Sequence, residues 1–318
     1  MKRALYLIVL SCLLAVTPLG CAQEARQADP RQWKIVFDSP RDGNREIYVM
    51  DSDGRQQQRL TLTPGKGKFS WLPSWSPDRK KIAFASNRDG NTEIYLMDAD
   101  GSHVQRLTNT AGKDKSSWNS VFSPDAKKIA FDSDRDGKWE IYVVDRDGSH
   151  LQQLTHTPGG SRGSGNPDWS PDGKKIAFVV TEGVKDWDDS DIYVMDADGA
   201  NLRRLTRTPG RASWDPRWSP DGEKIIYSSW RVSEQRSDQP QIYVMDADGS
   251  NVRRLTKDDR PALRPYWSPD GKKIVFMSTS GGSPKEKKDW KNVGLYVMDV
   301  DGSNVRSLSV NNAGHPAW

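Results

Sequence analysis

Five polar residues recur at one place in a repeating pattern and could act together: Asn119, Asn166, Asp215, Arg264 and His315, with Leu72 as the sixth member of the set. Each stands three residues before an aromatic residue, in the segments LPSW, NSVF, NPDW, DPRW, RPYW and HPAW. Brought to one axis, a carboxylate, a guanidinium, an imidazole and two amides could bind a polar ligand or a peptide end, or clasp a partner's side chain. The plainer reading of the same column is a water-filled channel whose polar lining does nothing specific. Catalytic signatures are missing: there is no HExxH pair, phosphate-binding loop or Cys/His nucleophile arrangement, and the one G-x-S-x-G match, Gly159 to Gly163, falls in a connection between strands of an all-β repeat rather than at a strand-to-helix turn. With four His in the chain, a His-rich metal centre cannot be assembled. The DxDG segments, such as Asp98 to Gly101, match the start of a calcium loop but run into basic, strand-like residues instead of a closing Glu. No metal and no cofactor is therefore expected. A carboxylate pair for glycoside hydrolysis would have to use Asp215 and Asp168, and Asp168 falls on an alternate-facing strand position.

What must position these residues is a repeat. IYVMD, IYLMD, IYVVD, IYVMD, IYVMD and LYVMD return at a spacing of roughly fifty residues, the mark of stacked or radially arranged units. One unit, residues 73–108, reads as four short strands: one ending at Trp75, then KKIAF, EIYLMD and HVQRLT, separated by Pro, Gly, Asp and Asn. SPDG and DxDG corners supply the hairpin turns between them. Four strands per unit and six units predict an all-β, six-bladed β-propeller. The first unit lacks its opening strand and begins at QWKIVFDS, while the chain stops at HPAW, which is that strand. One blade is thus expected to be built from both termini, closing the ring and removing free sheet edges.

Residues identical in every blade are scaffold, and residues that vary at one shared location are free for a site. Trp75, Phe122, Trp169, Trp218, Trp267 and Trp318 belong to the first kind and are expected to pack between blades. The polar column belongs to the second, at the start of the innermost strand. The turns between second and third strands emerge on the same face. They are short in the first three blades (SPRDGNRE, SNRDGNTE, SDRDGKWE) and long in the last three, at 180–191, 228–241 and 277–294. Trp187, Trp230 and Trp290 sit in those long turns, and Trp71, Trp118 and Trp214 lie four residues before the scaffold aromatic. These six Trp form an expected rim, with Lys and Arg around it, suited to protein or polysaccharide contact.

The N-terminus reads as an export signal over residues 1–22: Lys2 and Arg3, an apolar run too short to span a membrane stably, and a small-residue cleavage region. Pro18-Leu19-Gly20-Cys21 suits a lipobox that would lipidate Cys21, and the same stretch passes as an ordinary cleavage site before Gln23. Residues 23–32 form a polar linker, and the propeller occupies 33–318. A net charge of +4, smaller once Lys2 and Arg3 leave with the signal, implies neither nucleic acid nor membrane as a partner of the ring itself. Membrane contact is expected only through a lipid anchor, and the ring is expected to be a monomer.

The W-S-P-D-G-x-x-I-x-F and I-Y-x-M-D-x-D-G-x-x-x-x-x-L-T patterns resemble the WD-like repeats of TolB propellers, over residues 33–318. The resemblance implies an exported, periplasmic or outer-membrane-anchored protein that docks an envelope protein or peptide, without catalysis. The α/β domain that precedes the propeller in TolB has no counterpart in this sequence. Related repeats also occur in peptidases and sugar lyases, so a hydrolytic or carbohydrate-active site using Asp215, Arg264 and His315 stands as the alternative, and a purely structural ring as the third reading.

Overall fold

Each KIAF-type run pairs antiparallel with the IYVMD-type run that follows it, as in Lys81–Ser86 with Glu93–Asp98, where Phe84 lies opposite Tyr95. The two rings stack at 5.8 Å between centroids. Both strands are buried along almost their whole length, because a neighbouring blade covers each face. That is why they read as continuous apolar runs rather than as alternating ones.

The computed structural model describes residues 33–158, 161–182, 189–207, 210–231, 239–257, 260–279 and 293–318. They form six four-stranded antiparallel sheets arranged as the blades of a propeller. Blade 1 combines the last strand, Gly314–Ala317, with the first, Lys34–Ser39; Val36 pairs with Ala317 and Asp38 with Gly314. The first and last strands of the described residues are thereby held in one sheet, as the sequence predicts. The inner strands of blades 2 to 6 are Ser70–Trp75, Ser117–Phe122, Gly163–Trp169, Arg211–Trp218 and Ala262–Trp267. The aromatic that ends each of them is buried between blades, and the Trp267 indole N–H donates to the Arg217 carbonyl of the preceding blade.

The outer strands are shorter than the sequence suggests. Only Gln105–Arg106 of HVQRLT joins the sheet in blade 2, and the same holds for the outer strands of blades 1, 3, 4 and 5. The cause is a side-chain network that takes over from the ladder. In blade 1, the Ile47 amide donates to Thr61 Oγ1, the Thr61 hydroxyl donates to Glu46 at 2.5 Å, and the Thr63 amide donates to the other Glu46 oxygen. Blade 6 has Gly294 where blade 1 has Glu46, and there the outer strand extends over Arg306–Asn311. At the DxDG corners Gly101 (φ +88°) is required twice over, since a Cβ would lie 2.6 Å from the Leu60 carbonyl oxygen of the neighbouring blade.

Candidate functional site

Every inner strand carries a β-bulge at the polar column. Trp71 pairs with Ala85 but Ser74 with Ala83, so Leu72 and Pro73 oppose a single residue, and corresponding register shifts occur in the other five blades. The column residue adopts the left-handed conformation each time: φ is 54° at Leu72, 48° at Asn119, 53° at Asn166, 55° at Asp215, 52° at Arg264 and 44° at His315. Asn, Asp and His tolerate this region better than most residues, and proline after the bulge in five blades has no amide to give to the ladder. The bulge turns the column amide toward the preceding blade. Leu72 N–H donates to Asp38, Asn166 N–H to Asp132, Arg264 N–H to the Ser228 hydroxyl and His315 N–H to the Met277 sulfur. Bulges of this kind re-aim side chains next to functional sites.

Above the column, on the face of the second-to-third-strand turns, opens a cavity of about 440 Å³. Of the predicted residues, Asn119, Asn166, Arg264 and His315 line it, as do Trp71, Trp118, Trp214 and Trp230. Asp215 stands behind the wall: it is buried, accepts from the Asn166 side-chain Nδ2 at 2.9 Å and pairs with Arg264 at 3.3 Å. Trp187, Trp290 and Cys21 lie outside the described residues. Below the column the channel narrows to a cavity of about 40 Å³, then reopens on the opposite face as a cavity of about 280 Å³ ringed by the scaffold aromatics. Asp168 lines this lower cavity, where its carboxylate accepts the Trp218 amide at 2.7 Å.

Four residues of the upper site escape the sequence argument: Asp38, Arg45, Asp132 and Trp139. Asp38 and Asp132 occupy one position of the second strand, which holds Ala85, Val179, Ser228 and Met277 in the other blades. The between-blade comparison that picks out the inner column would have found this one too. Trp139 ends a short turn, at the position of Arg45 in blade 1, and belongs to an aromatic arc. His315 meets Trp71 at 5.8 Å between centroids, Trp71 meets Trp118 at 5.1 Å, and Trp118 meets Trp139 at 5.4 Å. The indole N–H groups of Trp71 and Trp118 are buried without a hydrogen-bond partner.

The two buried carboxylates differ in charge environment. Burial acts to raise the Asp38 carboxyl, but His315, whose Nδ1 lies 2.5 Å away, and Arg45, which also pairs with it, outweigh burial and hold it below its usual value. Burial in turn lowers the His315 imidazole, with Arg264 and Arg45 adding to that effect and Asp38 opposing it. Asp132 has no cation paired with it among the described residues, and burial pushes its carboxyl up to about 6 against hydrogen bonds from Asn119 and the Asn166 amide. The described residues contain no cluster of three or more His, Cys, Asp or Glu able to hold a metal ion.

A family model described as the TolB beta propeller domain matches residues 66–182 and 160–317. Among solved structures, TolB from Acinetobacter baumannii aligns with a TM-score of 0.70 at 24% identity, over 91% of this chain and 67% of that one. The putative TolB from Agrobacterium tumefaciens aligns at 0.64 and 27% identity, over 88% of this chain and 90% of that one. An oligogalacturonate lyase in complex with manganese aligns at 0.55 and 18% identity, over 86% of this chain and 73% of that one, and shares the fold alone. The search of curated proteins finds no match.

Proposed function

The chain belongs to the TolB β-propeller family, and on that footing we propose that it is a non-catalytic docking module of the cell envelope whose upper mouth receives a protein or peptide partner. The observation that carries the reading is the 440 Å³ cavity, walled by Trp71, Trp118, Trp139, Trp214 and Trp230 with Arg264 at its edge. Trp and Arg dominate binding energy at protein interfaces, Trp by large contact area with few rotamers to freeze and Arg by a planar fork of several donors. The long turns of blades 4 to 6 lie largely outside the described residues. An aromatic rim also stacks on sugar rings, so a polysaccharide is the second partner class.

The chain's course supports an anchored arrangement. Lys34 begins the ring on the lower face, where its carbonyl accepts from Arg79, a residue lining the lower cavity. A signal peptide over 1–22, lipidation at Cys21 and a linker over 23–32 would therefore tether the lower face and leave the mouth free, in the periplasm or on the outer membrane, with the ring acting as a monomer. Nucleic acid is not a partner under this reading.

One observation favours the hydrolytic alternative: the Asp132 carboxyl, pushed up to about 6, stands in the wall of the cavity as a proton donor would. Among the described residues no second carboxylate lines the cavity. Asp215 is engaged by Asn166 and Arg264, and Asp38 by His315 and Arg45. The test of docking is co-purification from chemically crosslinked envelopes with wild type, Trp230→Ala and His103→Ala. A partner lost with Trp230→Ala and kept with His103→Ala supports it; equal recovery with both variants contradicts it.

A further inference from the structure

Blades 1 and 3 place an acid at the same position of the second strand, and they neutralise it differently. In blade 1, Asp38 is met by Arg45, which precedes the third strand, and by His315. In blade 3 the residue equivalent to Arg45 is Trp139, and Asp132 is buried with only neutral donors on it, the Asn119 side chain and the Asn166 amide. A buried carboxylate without a cation is costly, and structures keep such groups paired or put them to use.

The surroundings of Asp132 are arranged around that missing charge. Trp118 and Trp139 pack at a tilt of 55° with centroids 5.4 Å apart, and both line the upper cavity together with Asp132. Gly165 stands opposite the carboxylate: a Cβ there would lie 3.7 Å from the Asp132 carboxyl carbon and within 3.9 Å of both oxygens. The Gly165 backbone is not left-handed, and a Cβ at those distances would rest in ordinary van der Waals contact on the carboxylate, which is itself buried in the cavity wall. Aromatic faces with an anion behind them are the chemistry that recognises an organic cation, the ring quadrupoles and the carboxylate attracting the same group.

We infer that Trp118, Trp139 and Asp132 form a seat for an alkylammonium group of the kind a lysine side chain carries, so that the docked partner supplies to blade 3 the cation that Arg45 supplies to blade 1. This names what the partner presents and rests on the docking reading only for the partner's existence. The groups facing Asp132 are Asn119 from its own blade and Asn166 and Gly165 from the next, with Arg264 acting across the channel and Arg162 lining the same cavity. Because burial raises the Asp132 carboxyl to about 6, the seat is charged above that pH, and amine affinity rises as pH increases through it.

The experiment titrates the purified full chain with N-acetyl-lysine amide and with its uncharged counterpart N-acetyl-norleucine amide, followed by tryptophan fluorescence and calorimetry. The lysine probe is expected to bind roughly tenfold more tightly than norleucine, the size of a single cation recognition. Asp132→Asn is expected to abolish that preference. Trp139→Arg recreates the blade 1 pairing, fills the seat from within and is expected to weaken the lysine probe roughly tenfold while leaving thermal stability unchanged or raised. Equal binding of the two probes, no saturable binding of the lysine probe, or undiminished lysine binding in folded Trp139→Arg overturns the inference. Docking fails separately, if the lysine probe binds as described but no envelope partner is captured at the mouth.

Discussion

His315 and Asp38, 277 positions apart in the chain, meet at 2.5 Å between Nδ1 and Oδ1, joining the last strand to the first beside the channel. Removing residues 314–318 deletes both this contact and the inner strand of blade 1, and is expected to abolish cooperative unfolding. His315→Ala keeps the strand but leaves Asp38 with Arg45 and the Leu72 amide, and should cost about 2 kcal/mol. His103→Ala, on an exposed corner, should stay within about 0.5 kcal/mol. Denaturant midpoints of the three variants check this.

The left-handed column makes a sharper prediction at Arg264 (φ 52°). Arg264→Asn and Arg264→Val both lose the ion pair with Asp215. Asn tolerates the backbone, as Asn119 and Asn166 do at the equivalent place, whereas a β-branched residue does not. The Val variant should therefore be less stable than the Asn variant by about 1–2 kcal/mol. Equal stabilities would mean that the bulge relaxes.

Asp132 and Asp168 set a pH dependence of unusual sign. Each carboxyl rises from 3.8 to about 6 on burial, so between those values the folded state holds protons that the unfolded state has released. Stability must then fall as pH rises through that window and level off above it, with roughly 2–3 kcal/mol at stake per group as an upper figure. Asp38, held below 3.8, acts in the opposite sense and is lost only at lower pH. Asp132→Asn is expected to be more stable than wild type at pH 8, with the advantage shrinking as pH falls toward 4. Urea unfolding at several pH values measures it, and a constant difference would contradict the assignment.

Calcium should have no effect on the ring. Asp98 accepts from Lys81 at 2.5 Å and lies 2.7 Å from His103 Nδ1, and Asp145 is engaged in the same way by Lys128 and His150. Ligands already taken by side chains and corner hydroxyls are not offered to a metal. Melting temperatures with calcium and with chelator should agree within about 2 °C, and a larger shift would reveal a site at the corners.

The architecture was legible because six copies average away the noise of any one strand, and because HPAW at one terminus completes QWKIVFDS at the other. The inner column was legible for the same reason, its variation standing out against the constant aromatic after it. Asp38 and Asp132 vary between blades in the same way, but each lies inside a KIVFDS or KIAFDS run whose apolar strand pattern hides the acid unless that column is compared on its own. Trp139 was hidden by a short turn of ordinary length. The length of the outer strands was misread because Thr hydroxyls and Glu carboxylates replace backbone partners, and nothing in HVQRLT marks where that begins.

Site-specific photo-crosslinking in intact envelopes tests the central claim most directly, with the probe residue replacing Trp230 at the cavity wall and, as control, His103 on the opposite face. A discrete protein adduct formed from position 230 and not from position 103 is the predicted result. Adducts of the same partner from both positions, or none from position 230, would contradict docking at the upper mouth.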